Sequence, residues 1–189
     1  MIILVVRDRA GGKLWDAAPT MLAMARFEDL QHSLWDTSSE CTVQPALTDR
    51  AIVEAQRLFD VTLPNSLLDL LRHRNGGEVA DEWNAFPTSQ PTSWSTDHVP
   101  FDTMLGIGRR EGTTSLLDSP YLVGEWGLPT GLVLFSGDGH CWIGLDYRAC
   151  GRHREPSVAW FDADFHTELA LAPDFRSFIE GLTAARNFE

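Results

Sequence analysis

Three stretches of the chain carry apolar residues at helical spacing. The first follows Thr48, a candidate N-cap, and its apolar face consists of Ile52, Ala55, Leu58 and Phe59. The second begins at Pro64, which suits the first position of a helix, and ends at Asn75-Gly76-Gly77, where glycine accepts a left-handed backbone. The third begins at Pro173-Asp174. This pattern predicts two helices before the middle of the chain and one closing helix.

Short β-branched and aromatic runs lie between the second and third of these helices. The clearest turn between them is Ser136-Gly137-Asp138-Gly139, a hairpin signal. After it, strict alternation places Cys141, Ile143 and Leu145 on one face of a strand. The predicted strands are residues 99–101, 104–107, 132–135, 141–147 and 157–161.

The order of these elements predicts an α+β fold. We expect a mainly antiparallel sheet with helices packed on one side, two N-terminal helices before the strands and one closing C-terminal helix. The first 45 residues are less regular: a β-branched run at residues 2–6 predicts a strand, and residues 13–45 give no clear pattern.

The charge balance narrows the choice of partner. The 189 residues include 15 basic and 27 acidic side chains, which gives a formal net charge of -12. Such a field repels phosphate backbones and anionic membranes, so we expect no nucleic-acid and no membrane partner, whereas a basic protein would be attracted. The alternative is that the acidity serves only solubility.

The three cysteines are Cys41, Cys141 and Cys150, and no CxxC spacing occurs. This argues against a disulfide framework and a structural zinc site, and it favours reduced thiols in a cytoplasmic protein. No stretch has the length of a membrane span. The sequence leaves the oligomeric state open.

One group of polar residues invites a metal-site or hydrolase interpretation. Asp138, His140 and Asp146 lie close together in sequence, but about six residues of strand, roughly 20 Å, separate the last two. The site would be short of ligands, so we predict no metal and no cofactor. The hairpin turn lacks the GxSxG pattern of a hydrolase, and Cys141 fits a buried strand position better than a nucleophile.

Four blocks of sequence, in order, resemble the SUKH superfamily, also known as the cell-wall-assembly-regulator family. The resemblance extends over about residues 47–182, and the first 45 residues match nothing in it. We therefore separate an N-terminal extension, residues 1–45, from a SUKH-like domain, residues 46–189. The four blocks are residues 63–71 with Asn75-Gly76-Gly77, residues 132–135 with Gly137-Asp138-Gly139, residues 142–147, and residues 155–162 with 172–182.

The resemblance implies protein binding without catalysis. Many bacterial members of the superfamily are similar to immunity proteins, which neutralise a cognate toxin domain, often a nuclease, and fungal members resemble hub regulators of signalling partners. The residues that match the superfamily look structural, because they shape helix ends and turns. These are Pro64, Asn75, Gly76, Gly77, Gly137, Asp138, Gly139 and Asp146.

A polar, proline-punctuated segment, residues 81–97, is the candidate binding face. Interfaces concentrate aromatic residues at the centre and charges at the rim, although these rings could instead cover the sheet as additional core. The candidate partner-binding residues are Asp81, Glu82, Trp83, Trp94, Asp97 and Asp102. Three hypotheses follow: an immunity protein against a basic toxin domain, a regulatory or scaffold module, and a metal-assisted hydrolase at Asp138 and His140.

Overall fold

The computed structural model describes residues 26–188, so the strand predicted at residues 2–6 lies outside the described residues. The α-helices are α1 (Phe27–Ser33), α2 (Asp49–Phe59), α3 (Asn65–His73), α4 (Ser119–Glu125) and α5 (Phe175–Glu180). Two 3₁₀ turns span Leu116–Asp118 and Ala185–Phe188. The strands are β1 (Gly77–Glu78), β2 (Ala85–Pro87), β3 (His98–Pro100), β4 (Thr103–Met104), β5 (Leu132–Gly137), β6 (Cys141–Asp146), β7 (Ser157–Asp162) and β8 (Thr167–Ala172).

Local signals in the sequence define the ends of the first two predicted helices. The Thr48 hydroxyl accepts a hydrogen bond from the Ala51 amide at 3.2 Å and caps α2. Helix α3 begins one residue later than expected, because Pro64 is its N-cap rather than its first helical residue. Its last turn carries Arg72 and His73, whose position suits the negative end of the helix dipole.

An antiparallel four-stranded sheet with the order β5-β6-β7-β8 forms the centre of the domain. Two smaller antiparallel pairs, β1 with β4 and β2 with β3, lie beside it. Together with the closing helix α5, this arrangement confirms the predicted α+β fold class.

Both faces of the sheet are covered. Ile143 and Leu145 of β6 belong to the main core, which α2, α3 and α5 complete from one side. Trp142, on the opposite face, is buried in a second apolar cluster with Val123 of helix α4. The side chains of β6 therefore alternate between the two faces of the sheet as predicted. Helix α4, which the sequence did not predict, covers the face that carries Trp142.

The first described helix, α1, packs into the main core. Phe27, Leu30 and Leu34 are buried there, and the Phe27 amide donates a hydrogen bond to Glu180 of α5 at 3.2 Å. The division of the chain into residues 1–45 and 46–189 stays a prediction. Among residues 26–188, no helix is long and apolar enough to cross a bilayer.

Asn75 connects three parts of the fold. The residue is 3% exposed. Its side-chain amide donates hydrogen bonds to the carbonyl oxygens of Pro45 and Ile107, and its side-chain oxygen accepts one from the Ile107 amide at 2.8 Å. Next to it, the backbones of Gly76 and Gly106 touch: a Cβ on Gly106 would lie 2.1 Å from the Asn75 carbonyl oxygen. Any side chain at that glycine would push the end of α3 away from the strand segment that follows β4.

Candidate functional site

A cleft of about 90 Å³ opens where the β2–β3 loop meets the turn between β5 and β6. Three separate segments line it, so it exists only in the folded chain. The β2–β3 loop contributes Trp94, the β3–β4 link contributes Asp102, and the β5–β6 turn contributes Asp138. Cys141 and Trp160 complete the wall from the sheet.

The loop that carries Trp94 is attached to the sheet by a buried carboxylate. Asp162, at the end of β7, is 3% exposed and accepts hydrogen bonds from the Ser93 hydroxyl and from the Phe165 amide. The loop is folded locally as well, because the Thr92 hydroxyl accepts from the Trp94 amide at 3.2 Å. This support holds Trp94 at the rim of the cleft with 52% of the residue exposed.

Asp138 holds the opposite wall in place. One of its carboxylate oxygens accepts from the amides of His140 and Cys141, each at 2.9 Å, which closes the β5–β6 turn. Gly137 is needed beside it, because its φ is +156° and a Cβ there would lie 2.3 Å from the Trp142 ring. Asp138 therefore has a structural role and also places a negative charge on the cleft.

The cleft carboxylates Asp102 and Asp138 form no ion pair within the described part of the chain. Burial raises the pKa of the Asp102 carboxyl, a hydrogen bond with Asn84 opposes the rise, and the charges of Asp81 and Asp138 add to it. Asp102 is exposed as a residue, so solvent screens part of this effect. Within residues 26–188, no arginine forms an ion pair with Asp81, Asp102 or Asp138.

Cys141 is uncharged in this setting. Burial, with the nearby charges of Asp162 and Asp138, raises the pKa of its thiol to about 11. At neutral pH the thiol stays protonated, so it is a poor nucleophile and a poor metal ligand.

The predicted binding residues separate into two groups. Trp94 and Asp102 line the cleft, whereas Asp81 is not part of its lining and only adds to the rise in the Asp102 pKa through its charge. The others have partners within the chain. Glu82 lies 4.0 Å from Arg186 and Asp97 bonds to His98 at 2.9 Å, while Trp83 is half-buried against the main core.

The aromatic residues of the 81–97 segment differ in the same way. Phe86 is buried and stacks on Phe178 with ring centroids 4.9 Å apart, so this ring does cover the sheet. Trp83 also packs against the core, whereas Trp94 is exposed. Trp94 is the most exposed of these three rings.

A second exposed aromatic residue, absent from the sequence-based candidates, lies next to the cleft. Phe165, in the β7–β8 turn, is 68% exposed and borders an open groove of about 460 Å³. The groove and the cleft share Trp160 and are separated by the loop that carries Ser93 and Trp94. The only signal in the sequence is a phenylalanine between the polar residues Asp164 and His166. It indicates an exposed ring only when β7 and β8 are known to be paired, because this pairing places Phe165 in a turn.

The proposed metal-binding group does not assemble. His140 bonds to Asp164 at 3.0 Å, and Asp146, at the other end of β6, is held by the Arg148 guanidinium at 2.7 Å. In the described residues, no three histidine, cysteine, aspartate or glutamate side chains are arranged to hold a metal ion.

A model of the SMI1 / KNR4 family (SUKH-1) matches residues 46–181. A search of curated proteins finds no match. The matched residues contain α2, α3 and the whole four-stranded sheet, and they include every residue that lines the cleft.

Proposed function

Because the chain belongs to the SMI1 / KNR4 family (SUKH-1), a family that includes immunity proteins, we propose that it is an immunity protein. In this proposal it binds a cognate bacterial toxin domain, a basic nuclease of a polymorphic toxin system, in the cytoplasm. It acts by occlusion: the bound protein covers the basic surface with which the nuclease would hold its nucleic-acid substrate. No chemical step is required of the immunity protein.

The observation that carries the proposal is an exposed tryptophan beside carboxylates that form no ion pair within residues 26–188. We name Asp81, Trp94, Asp102 and Asp138 the acidic face. Tryptophan is among the residues that contribute most to binding energy at interfaces, and the adjacent carboxylates complement a basic partner. The net charge of -12 would also accelerate association, an effect that salt weakens.

The absence of chemistry in the proposal rests on the state of the candidate groups. Cys141 is protonated at neutral pH, and within the described residues the His140 ring bonds to Asp164 but to no hydroxyl or thiol that it could activate. Protein binding uses the exposed groups as they are, whereas catalysis would need an activated nucleophile.

The test begins with capture of partners from a native lysate on the immobilised protein, with washes at low and high salt. A captured basic nuclease domain is then co-expressed with the wild-type chain or a variant in a bacterial host, and growth is measured. We predict that Trp94→Ala weakens binding by at least about tenfold and reduces protection, since a hot-spot tryptophan contributes about 2 kcal/mol or more.

The matched control is Tyr121→Ala, which removes another exposed aromatic ring, 66% exposed, from helix α4 on the other side of the sheet. This variant should bind and protect like the wild type. Recovery of housekeeping assemblies alone would instead favour a regulatory or scaffold module. Equal loss in both variants would contradict the acidic face as the binding site.

A further inference from the structure

The acidic face encloses space for one charged head group. We propose that the cleft between Trp94 and Asp138 receives a single arginine side chain of the partner, with its guanidinium between Asp102 and Asp138 and against the Trp94 ring. This inference rests on the proposed function, because it takes the occupant from a basic protein partner. It goes further by naming the recognised group and its position.

The size of the cleft suits this occupant. Its volume is about 90 Å³, whereas one water molecule needs about 10–15 Å³ by the same measure. The cleft is therefore large enough for several waters, and a planar guanidinium with its neighbouring methylene group would fill a similar space.

The walls of the cleft select a cation over other groups. Asp102 and Asp138 both line it, and the two carboxylates are close enough for the charge of one to raise the pKa of the other. An incoming cation would relieve this repulsion, whereas an anion would increase it. Cys141 contributes no charge at neutral pH, since its thiol stays protonated.

Trp94 favours arginine over lysine. A guanidinium is planar and weakly hydrated, so it can stack on an indole ring while it donates to carboxylates at its edge. An ammonium group is compact and strongly hydrated, and it would lose more hydration in the same cleft. The loop backbone that carries the ring is held by the hydrogen bonds of Ser93 and of the Trp94 amide, so the backbone needs little ordering when the arginine binds.

The inference can be tested without a toxin, by NMR titration of the full-length protein with N-acetyl-arginine amide. We expect the Trp94 indole and the amides of Gly137, Asp138 and Cys141 to shift, with a Kd on the order of 10 mM for an isolated side chain. N-acetyl-lysine amide should bind more weakly, and neutral N-acetyl-glutamine amide should leave these signals unmoved.

The variants Asp102→Asn and Asp138→Asn should each weaken arginine binding about fivefold or more. Asparagine at residue 138 keeps an oxygen that can accept from His140 and Cys141, so the turn is preserved. Glu125→Gln, which removes an exposed charge from α4, is the matched control and should bind arginine normally.

Equal shifts with the glutamine and arginine probes, or no effect of the two aspartate variants, would overturn the inference. So would unmoved cleft signals up to about 50 mM arginine probe, five times the expected Kd. The two proposals fail in different ways. Arginine binding without any toxin partner would contradict only the immunity function. If the wild-type protein neutralises a toxin and the Asp102→Asn and Asp138→Asn variants bind that toxin with unchanged affinity, only the arginine site is contradicted.

Discussion

Replacement of Asn75 by alanine should destabilise the fold far more than a surface substitution does. The asparagine is almost completely buried, and its side chain makes three hydrogen bonds, two as donor and one as acceptor. Alanine removes all three and leaves the Ile107 amide and the carbonyl oxygens of Pro45 and Ile107 without these partners. A buried polar group that loses its partner costs about 1–3 kcal/mol.

The sum of these effects is about 3 kcal/mol, because carbonyl groups tolerate incomplete bonding better than amides do. The free energy of unfolding of single domains is about 5–15 kcal/mol, so the variant should still fold at 25 °C. At this chain length 1 kcal/mol corresponds to about 2–4 °C, and the Tm should therefore fall by about 10 °C. Urea and thermal unfolding, followed by circular dichroism, measure both quantities.

Asn65→Ala, at the exposed start of α3, is the matched control and should change the free energy of unfolding by about 0.5 kcal/mol or less. Asn75→Asp provides a second check, because a carboxylate cannot donate to the two carbonyl oxygens. The pKa of this new carboxyl should be raised in the folded protein, so the variant should be most stable below about pH 4 and lose stability as the pH rises. An Asn75→Ala variant as stable as the wild type would refute the reasoning.

Two further substitutions separate stability from binding. Gly106→Ala should lower the free energy of unfolding in urea by about 3 kcal/mol or more, since its Cβ would overlap the Asn75 carbonyl oxygen. Gly124→Ala, with open space around it, should not lower this free energy. Equal stability of the two variants would contradict the reasoning. Asp102→Asn should raise the Tm at pH 7 only slightly, by about 1 °C or less, because it removes a carboxylate whose pKa is raised in the folded state but which solvent partly screens. It should have no effect below about pH 3, where that carboxyl is neutral in both states. A lower Tm at pH 7 would show that the carboxylate is stabilising.

The sequence predicted the elements whose local signals agree with their tertiary role. Helices α2 and α3 have clear caps and apolar faces, and strand β6 alternates as a strand with two different faces should. Strand β8 was missed because its sequence, Thr167–Ala172, consists largely of glutamate, leucine and alanine, which favour helices; pairing with β7 overrides that preference. Helix α4 was missed because it is seven residues long and contains Pro120 and Gly124.

The candidate site shows a different limit. Proximity in sequence grouped Trp83 and Asp97 with Trp94, but the fold uses the first two for internal contacts. The second wall of the cleft comes from Asp138, in a turn that follows α4 in the sequence, whereas Asp102 precedes α4. No local pattern links that turn to Asp102, because only the docking of the small β2–β3 and β1–β4 pairs beside the main sheet brings them together.

The residues that carry the family resemblance and those of the acidic face have largely separate roles, and this separation has a physical consequence. Asn75 and Gly76 are buried at backbone junctions, so a change there alters the fold before it alters any surface. Trp94 and Asp102 lie in loops at the cleft, and a change there alters the surface with little effect on packing. Such a scaffold can meet a different partner by exchange of the loop residues alone. Asp138 is the exception, because the same carboxylate closes the β5–β6 turn and charges the cleft.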